Sequence, residues 1–242
     1  MPSKKEVKDI QTLSLKKHRD ETKLFIAEGP KIVEELLVSF PRQVVSVYAL
    51  QEWIHKNQKL PPFFKVETIS AIELEKISLL SAPNQVVAII KQFAFTLPDV
   101  QRPVLYLDTI QDPGNFGTII RIADWFGIQD IICSDGCADL YNPKVVQSSM
   151  GSMGRVQVYV DVDGSWIRNQ KLPVFAASLQ GKPLHQFNKI QKGIILIGNE
   201  SKGLRKELLN LASEKIRIPG KGAAESLNAA VATGIILSHL ID

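Results

Sequence analysis

The sequence predicts an α/β protein in two parts: a small α/β layer domain, then a larger α/β domain built on a parallel sheet. Three observations lead there. Over the first part of the chain, up to Ile90, short apolar runs alternate with amphipathic stretches of helical spacing. From Gln92 to Pro103 that periodicity stops, in a stretch that carries Pro98 and Pro103. Beyond it the alternation restarts with apolar runs that are continuous, the pattern of strands covered on both faces of a parallel sheet. The expected boundaries are 1–95 for the first domain, 96–103 for a linker and 104–242 for the second domain.

In the first domain Leu24–Ala27 reads as a strand. Glu28-Gly29-Pro30 then turns into a helix with Pro30 near its first position and Ile32, Val33, Leu36 and Leu37 on its apolar face. Pro41 ends that helix, and the β-rich run Val44–Leu50 comes next. Ser70-Ala71-Ile72-Glu73 has the spacing of a capping box, in which serine and glutamate satisfy each other's backbone N–H groups, ahead of a helix bearing Leu74 and Ile77. Val86–Ile90 is the last strand of this part.

The second domain opens with the strand Val104–Leu107, the loop Gln111–Gly117 and a helix through Arg121 to Phe126, closed by Gly127. The strand Ile128–Cys133 and a proline-initiated helix, Pro143–Ser149, come next, then strands at Val156–Val160, Val174–Ala177 and Ile194–Ile197. The chain from Lys215 to Leu240 puts a short buried strand, Ile216–Ile218, a turn at Pro219-Gly220-Lys221-Gly222 and a helix starting at Glu225 or Ser226 in immediate succession. Leu227, Ala230, Val231, Gly234, Ile235 and Leu237 leave that helix little polar surface, so it is expected to pack on several sides. Ser226 and Asn228 are its polar exceptions, and two readings stay open for them: a ligand wall beside free backbone N–H groups, or an N-cap with a solvated asparagine.

Composition narrows the function classes. With 45% apolar and 22% charged residues in 242, the chain is of the soluble globular kind; it has no run of membrane-spanning length and no signal-peptide core, which places it in the cytoplasm. Cys133 and Cys137 are its only cysteines, and their C-x-x-x-C spacing without neighbouring histidines reads as reduced, partly buried thiols instead of a zinc site. His18, His55, His185 and His239 are scattered, so no metal is expected. A net charge of +4 favours an anionic partner. Lys4, Lys5, Lys8, Lys16, Lys17, Arg19 and Lys23 form a basic arm that suits a phosphate backbone or is a solvated terminal helix.

Open parallel sheets bind ligands beyond the carboxyl ends of their strands, which singles out three loops. In Asn115-x-Gly117-x-x-x-Arg121 the arginine either clamps a phosphate through two N–H groups or pairs on the surface with Asp124. In Ile197–Leu204, Glu200 either orients a hydroxyl or neutralises a cation, or it caps the helix after Gly203. The third loop carries Pro219, Gly222, Ser226 and Asn228. Neither G-x-x-x-x-G-K-[ST] nor G-x-G-x-x-G occurs, which disfavours a phosphate-loop or Rossmann dinucleotide site.

In this order, NFGTIIR, LIGNESKGL and IPGKGAAESLNAAVATGI resemble the three motifs of the SpoU or TrmH family of RNA ribose methyltransferases, of the SPOUT class. The likeness spans Val104 to Leu240 and includes YNPKVVQSSMGSMGRV, while FIAEGPKIVEELL resembles the small α/β RNA-binding domain that many members carry in front. The resemblance implies a catalytic domain whose C-terminal chain is threaded into a deep trefoil knot, a topology that periodicity does not reveal. It implies S-adenosylmethionine as cofactor, held by Ile197, Gly198, Asn199, Ile218, Pro219, Ser226 and Leu227, and no metal. The implied reaction is methyl transfer to a ribose 2′-hydroxyl of structured RNA, ribosomal RNA ahead of transfer RNA. Arg121, helped by an RNA phosphate, would be the base, with Asn115 fixing it and Glu200, Ser226 and Asn228 shaping the site. Since a guanidinium normally keeps its proton in proteins, a role in orienting the phosphate and stabilising the alkoxide stays open beside it. The family habit is a homodimer in which the first motif of one protomer faces the cofactor pocket of the other. The alternative is a non-catalytic RNA-binding protein on the same scaffold; it predicts a lost motif position, and all five polar site residues are present.

Overall fold

The computed structural model describes residues 2–57 and 65–241, which form two compact units. The first combines residues up to Ala94 with Asp139–Gly154; the second combines Phe95–Ala138 with the chain from Arg155 onward.

The first unit begins with helices α1 (Lys4–Thr12), capped by a Ser3/Glu6 capping box, and α2 (Lys16–Thr22). Its strands β1 (Leu24–Glu28), β2 (Val44–Ala49), β3 (Lys65–Thr68) and β4 (Val86–Lys91) form one sheet in the order β1-β4-β2-β3, in which only β2 and β3 run parallel. Helices α3 (Pro30–Ser39), α4 (Gln51–Lys56) and α5 (Ala71–Ile77) connect them, and Ser70 and Glu73 make the expected capping box. Ile26, Tyr48, Val87 and Ile89 of the sheet pack with Ile10, Leu13, Leu74 and Ile77. Phe25, next to Ile26 and therefore on the opposite face, packs in a tilted arrangement against Tyr141 with ring centroids 5.0 Å apart. The helix Pro143–Ser149 packs on β1 and buries Val145 and Val146. Its bounds are those expected, but periodicity identifies a helix and says nothing about which sheet it covers.

The basic arm is folded. Arg19 is buried and pairs with Asp139 at 2.6 Å, and Lys16 pairs with Asp20 at 2.6 Å, while Lys4, Lys5, Lys8 and Lys23 stay exposed.

Residues 96–102 contain no helix or strand, and Thr96 donates its N–H to Gln157 at 3.0 Å. The second unit is then built on six parallel strands: β5 (Pro103–Asp108), β6 (Asp130–Ser134), β7 (Gln157–Asp161), β8 (Val174–Pro183), β9 (Gly193–Gly198) and β10 (Glu214–Arg217). Their order is β10-β8-β9-β5-β6-β7. Helix α6 (Pro113–Trp125) follows β5, α7 is the helix Pro143–Ser149 of the first unit, and α8 (Ser165–Arg168), α9 (Lys206–Leu209) and α10 (Ala229–Leu240) complete the unit. Val104, Tyr106, Ile132, Ile194 and Leu196 pack against Ile167 of α8 and Leu208 of α9. Helix α10 packs on β9 and α6, so both faces are covered and the continuous apolar runs are accounted for.

Two helix starts differ from expectation. The stretch Pro113–Gly117, read as loop, is the first turn and a half of α6: Asp112 caps it by accepting the Asn115 N–H at 2.7 Å, and Pro113 occupies the first turn. A cap and a proline at that position together offset the cost of two helical glycines, about 1 kcal/mol each. Helix α10 starts at Ala229, not at Glu225 or Ser226, because the Asn228 side chain accepts the N–H groups of Ala230 and Val231. Leu227 therefore lies outside the helix and is 44% exposed.

Candidate active site

The order of the large sheet locates a crevice. From β5 the chain moves outward to β6 and β7, whereas from β9 it leaves in the other direction, past β8 to β10. Loops that diverge from two adjacent parallel strands leave a gap at their carboxyl ends. Strands β5 and β9 are that pair, and their ladder ends at Asp108 opposite Gly198.

Three of the expected site residues meet there. Asn228 Nδ2 donates to Asn115 Oδ1 at 2.7 Å, and Asn115 Nδ2 donates to Glu200 Oε1 at 2.5 Å. The direction of this relay is set by its first member. Asn228 Oδ1 is committed to two backbone N–H groups of α10, so only its amide can face Asn115. Asn115 must then accept from Asn228 and present its own amide to the carboxylate. The helix N-terminus thus orders the Glu200 carboxylate through two asparagines, and Glu200 is held by Asn115 instead of capping α9, which starts from Arg205.

Gly198 cannot carry a side chain, since a Cβ there would lie 2.5 Å from the backbone of Gly203 and Leu204. The loop doubles back: Gly203 donates its N–H to the Asn199 carbonyl at 2.8 Å, and Asn199 Oδ1 accepts from the N–H groups of Ser201 and Lys202. Asn199 is thereby a shape-keeping residue of the loop.

The other two expected catalytic residues stand apart. Arg121, the ninth residue of α6, is exposed and has no hydrogen-bond or ion-pair partner among the described residues. The surface pairing with Asp124 does not form, because Asp124 is bound by Arg155 at 2.7 Å. Ser226 lies in the exposed stretch 219–228 together with Pro219 and Leu227. Ile197 is buried at the end of β9, and Ile218 is half-buried just beyond β10. Since all strands are parallel, these positions share the carboxyl edge of the sheet.

A shallow groove between α6 and α10 is lined by Asn115, Thr118, Ile122, Asn228, Val231 and Ile235. Cys133 is buried and Cys137 half-buried, both as free thiols. Among the described residues no group of three or more His, Cys, Asp or Glu side chains is placed to hold a metal, and no helix is long and apolar enough to cross a membrane. The three motif stretches do not include Asp108, although a carboxylate closing the apolar run VLYLD is a legible signal.

Residues 102–238 match the SpoU rRNA Methylase family, and residues 4–88 match the MRM3-like substrate binding domain. The chain belongs to the SpoU rRNA methylase family. This SpoU protein is 31% identical, over 97% of its length and 95% of the relative's, to the Bacillus subtilis 23S rRNA (guanosine(2553)-2′-O)-methyltransferase RlmP. Among solved structures it superposes on a TrmH-family protein from Porphyromonas gingivalis with a TM-score of 0.86 at 32% identity, covering 98% of this chain and 97% of that one. The S-adenosylmethionine-bound rRNA methyltransferase from Sinorhizobium meliloti gives a TM-score of 0.81 at 31% identity, with 98% and 95% covered.

Proposed function

We propose that this SpoU protein transfers a methyl group from S-adenosylmethionine to a ribose 2′-hydroxyl of structured RNA, with ribosomal RNA as the substrate class. The observation that carries the reading is the relay from Asn228 through Asn115 to Glu200, which joins one residue from each of the three motif stretches into one hydrogen-bonded chain. The B. subtilis relative is named for this transfer on 23S rRNA, and the S. meliloti neighbour is described with the cofactor bound.

The residues suit the cofactor. Side-chain-free backbone at Gly198, an apolar residue on each side of the loops at Ile197 and Ile218, and the exposed stretch Pro219–Leu227 offer an adenine slot and open main-chain polar groups. Bound S-adenosylmethionine supplies an electrophilic methyl group on a sulfonium. What remains for the chain is to align the hydroxyl and to manage its proton. Arg121, with no internal partner among the described residues, is free to take an RNA phosphate; in its neutral form it would accept that proton, and in its ordinary charged form it stabilises the alkoxide while the proton passes to solvent water. The ordered carboxylate of Glu200, with Ser226, shapes the hydroxyl's surroundings. In this reading the C-terminal chain is threaded through a trefoil knot. The Ile190 N–H bond to the Leu240 carbonyl, at 2.8 Å, which ties the β8–β9 connection to the end of α10, supports that reading.

A homodimer completes the assembly. Val231 is 50% and Trp125 84% exposed on the α10 and α6 side, an apolar surface that a second copy would cover. Residues 1–95 select the RNA, with the exposed Lys4, Lys5 and Lys8 reaching its phosphates.

Calorimetry in a chelating buffer tests the cofactor, and comparison of 2′-O-methylation in total RNA with and without the protein tests the reaction. Absence of binding up to about millimolar S-adenosylmethionine, only ~4 kcal/mol of affinity, overturns the enzyme reading. Mixing Arg121→Ala with Glu200→Ala subunits restores activity if the site is shared between protomers; exchanged subunits that stay inactive place it within one chain.

A further inference from the structure

Resting on the function proposed above, we infer that Asp108 and Arg205 form a positioning pair that keeps the 198–205 loop, and with it Glu200 and the cofactor-facing backbone, in its working shape. The loop needs such a hold. The β5–β9 ladder ends at Asp108 and Gly198, after which the chain from β9 leaves away from β5, so no strand pairing with β5 restrains the loop.

The end of β5 grips the loop at both of its ends. Asp108 is fully buried and both of its carboxylate oxygens are engaged: Oδ2 accepts the Arg205 N–H at 2.8 Å, while Oδ1 accepts Arg205 Nε at 2.7 Å and the Ser134 hydroxyl at 3.1 Å. One carboxylate thus binds the backbone and the side chain of the residue at which the loop ends and α9 begins. At the near end the Thr109 carbonyl accepts Asn199 Nδ2 at 3.0 Å. Thr109 does this from a left-handed conformation, φ +53°, which a β-branched residue seldom adopts, and the Ser134 hydroxyl accepts its N–H at 3.0 Å. Ser134, at the end of β6, therefore braces both gripping groups. Between the two ends the loop closes on itself through Asn199 and Gly203 and presents Glu200 to Asn115.

A charged group in the interior is retained only with partners that compensate its lost hydration. Here those partners are the far end of the cofactor loop, so loosening the pair should release the loop before it disturbs the sheet. If the closed loop then exists in about a tenth of the molecules, the apparent affinity for S-adenosylmethionine falls about tenfold while affinity for RNA is kept.

Full-length Asp108→Asn and Arg205→Ala proteins test this by two readouts. Hydrogen exchange resolved by mass spectrometry should show the amides of residues 199–205 exchanging about tenfold faster, with those of β9 and α10 unchanged. The KM for S-adenosylmethionine should rise about tenfold, the KM for RNA should not move, and Arg205→Lys should recover part of the loss. The Arg205 side chain is 43% exposed, so its removal should leave a folded protein even where Asp108→Asn does not. Faster exchange spread over the whole unit, or unchanged exchange in the loop, overturns the positioning role. Wild-type protein that binds no S-adenosylmethionine overturns the proposed function, whereas wild-type binding with an unmoved KM in the variants overturns the positioning role alone.

Discussion

Each unit contains a glutamate just beyond or at the end of a strand and an arginine on a helix, and the two units use them in opposite ways. In the first, Glu28 ends β1, is buried, and accepts from the Ser78 hydroxyl and from the Leu79 N–H at 2.9 Å. Arg19 is 2% exposed, with Nη1 on the carbonyls of Leu13 and Ser14 at 2.7 and 2.8 Å and Nη2 on Asp139 at 2.6 Å. In the second, Glu200 is half-buried with Asn115 as its donor, and Arg121 is exposed without a partner among the described residues. A polar side chain that is buried with its polar atoms already engaged internally is out of a ligand's reach. One that is ordered or exposed with capacity in reserve is not. The same residue types are thus structural in one unit and available for chemistry in the other, and the difference lies in their partners.

Exchanging the two arginines for alanine should separate these roles most widely. Arg121→Ala should lower kcat about 10²–10⁴-fold, the usual range for a lost acid–base or charge-stabilising group, and leave the unfolding free energy within about 0.5 kcal/mol of wild type. Methylation assays beside urea unfolding would show it, and a stability loss matching the activity loss would erase the contrast. Arg19→Ala should do the reverse. It strands Asp139 and two carbonyls, at a cost of about 3 kcal/mol, the low end for a broken buried pair because the Asp139 side chain keeps 19% exposure. S-adenosylmethionine affinity of the folded fraction should not change.

Arg19 also marks where the sequence can and cannot be read. As one of seven cations in a short stretch it reads as part of a phosphate-binding arm, since charge is visible in a sequence and burial against a residue 120 positions away is not. The helix Pro143–Ser149 is the same case, legible from its proline start and apolar spacing but not in its attachment to β1. Asn115, Glu200 and Asn228 are legible as a group only through the family resemblance, and their order of bonding only through the cap that Asn228 provides. Local rules also misplace the start of α10. Serine and asparagine are both good caps, and which of two neighbours takes the N–H groups depends on the third partner, Asn115, that asparagine finds.

Asn228→Ala probes that shared residue and sits between the extremes. Losing the cap should cost about 1 kcal/mol, a fall in melting temperature of about 2–4 °C for a protein of this size. Freed from Asn228, the Asn115 amide can turn from Glu200, and kcat should fall about tenfold, the effect of one weakened electrostatic contact. Asn228→Asp keeps the cap but cannot donate to Asn115, so it should retain stability and lose activity. Equal loss of both in the two variants would mean that the relay does not order Glu200.

The smallest effect concerns Glu28, the buried structural counterpart of Glu200. Burial pushes its carboxyl above the ordinary glutamate range, and the bonds from Ser78 and Leu79 offset that only in part. The folded protein therefore holds this proton more tightly than the unfolded chain does. The stabilisation this gives is complete below the unfolded value and is lost as pH rises through the raised folded value. Glu28→Gln removes the titration at little steric cost: its carbonyl can accept the Leu79 N–H while its amide turns to the Ser78 oxygen. The difference in stability, variant minus wild type, should accordingly shift toward the variant as pH rises from below the ordinary glutamate range through the raised folded value. Urea midpoints of the two proteins at each pH give the difference directly, and the other carboxylates cancel in it. A difference that does not change with pH would mean that Glu28 keeps an ordinary pKa, and that its burial is fully compensated by the two bonds it accepts.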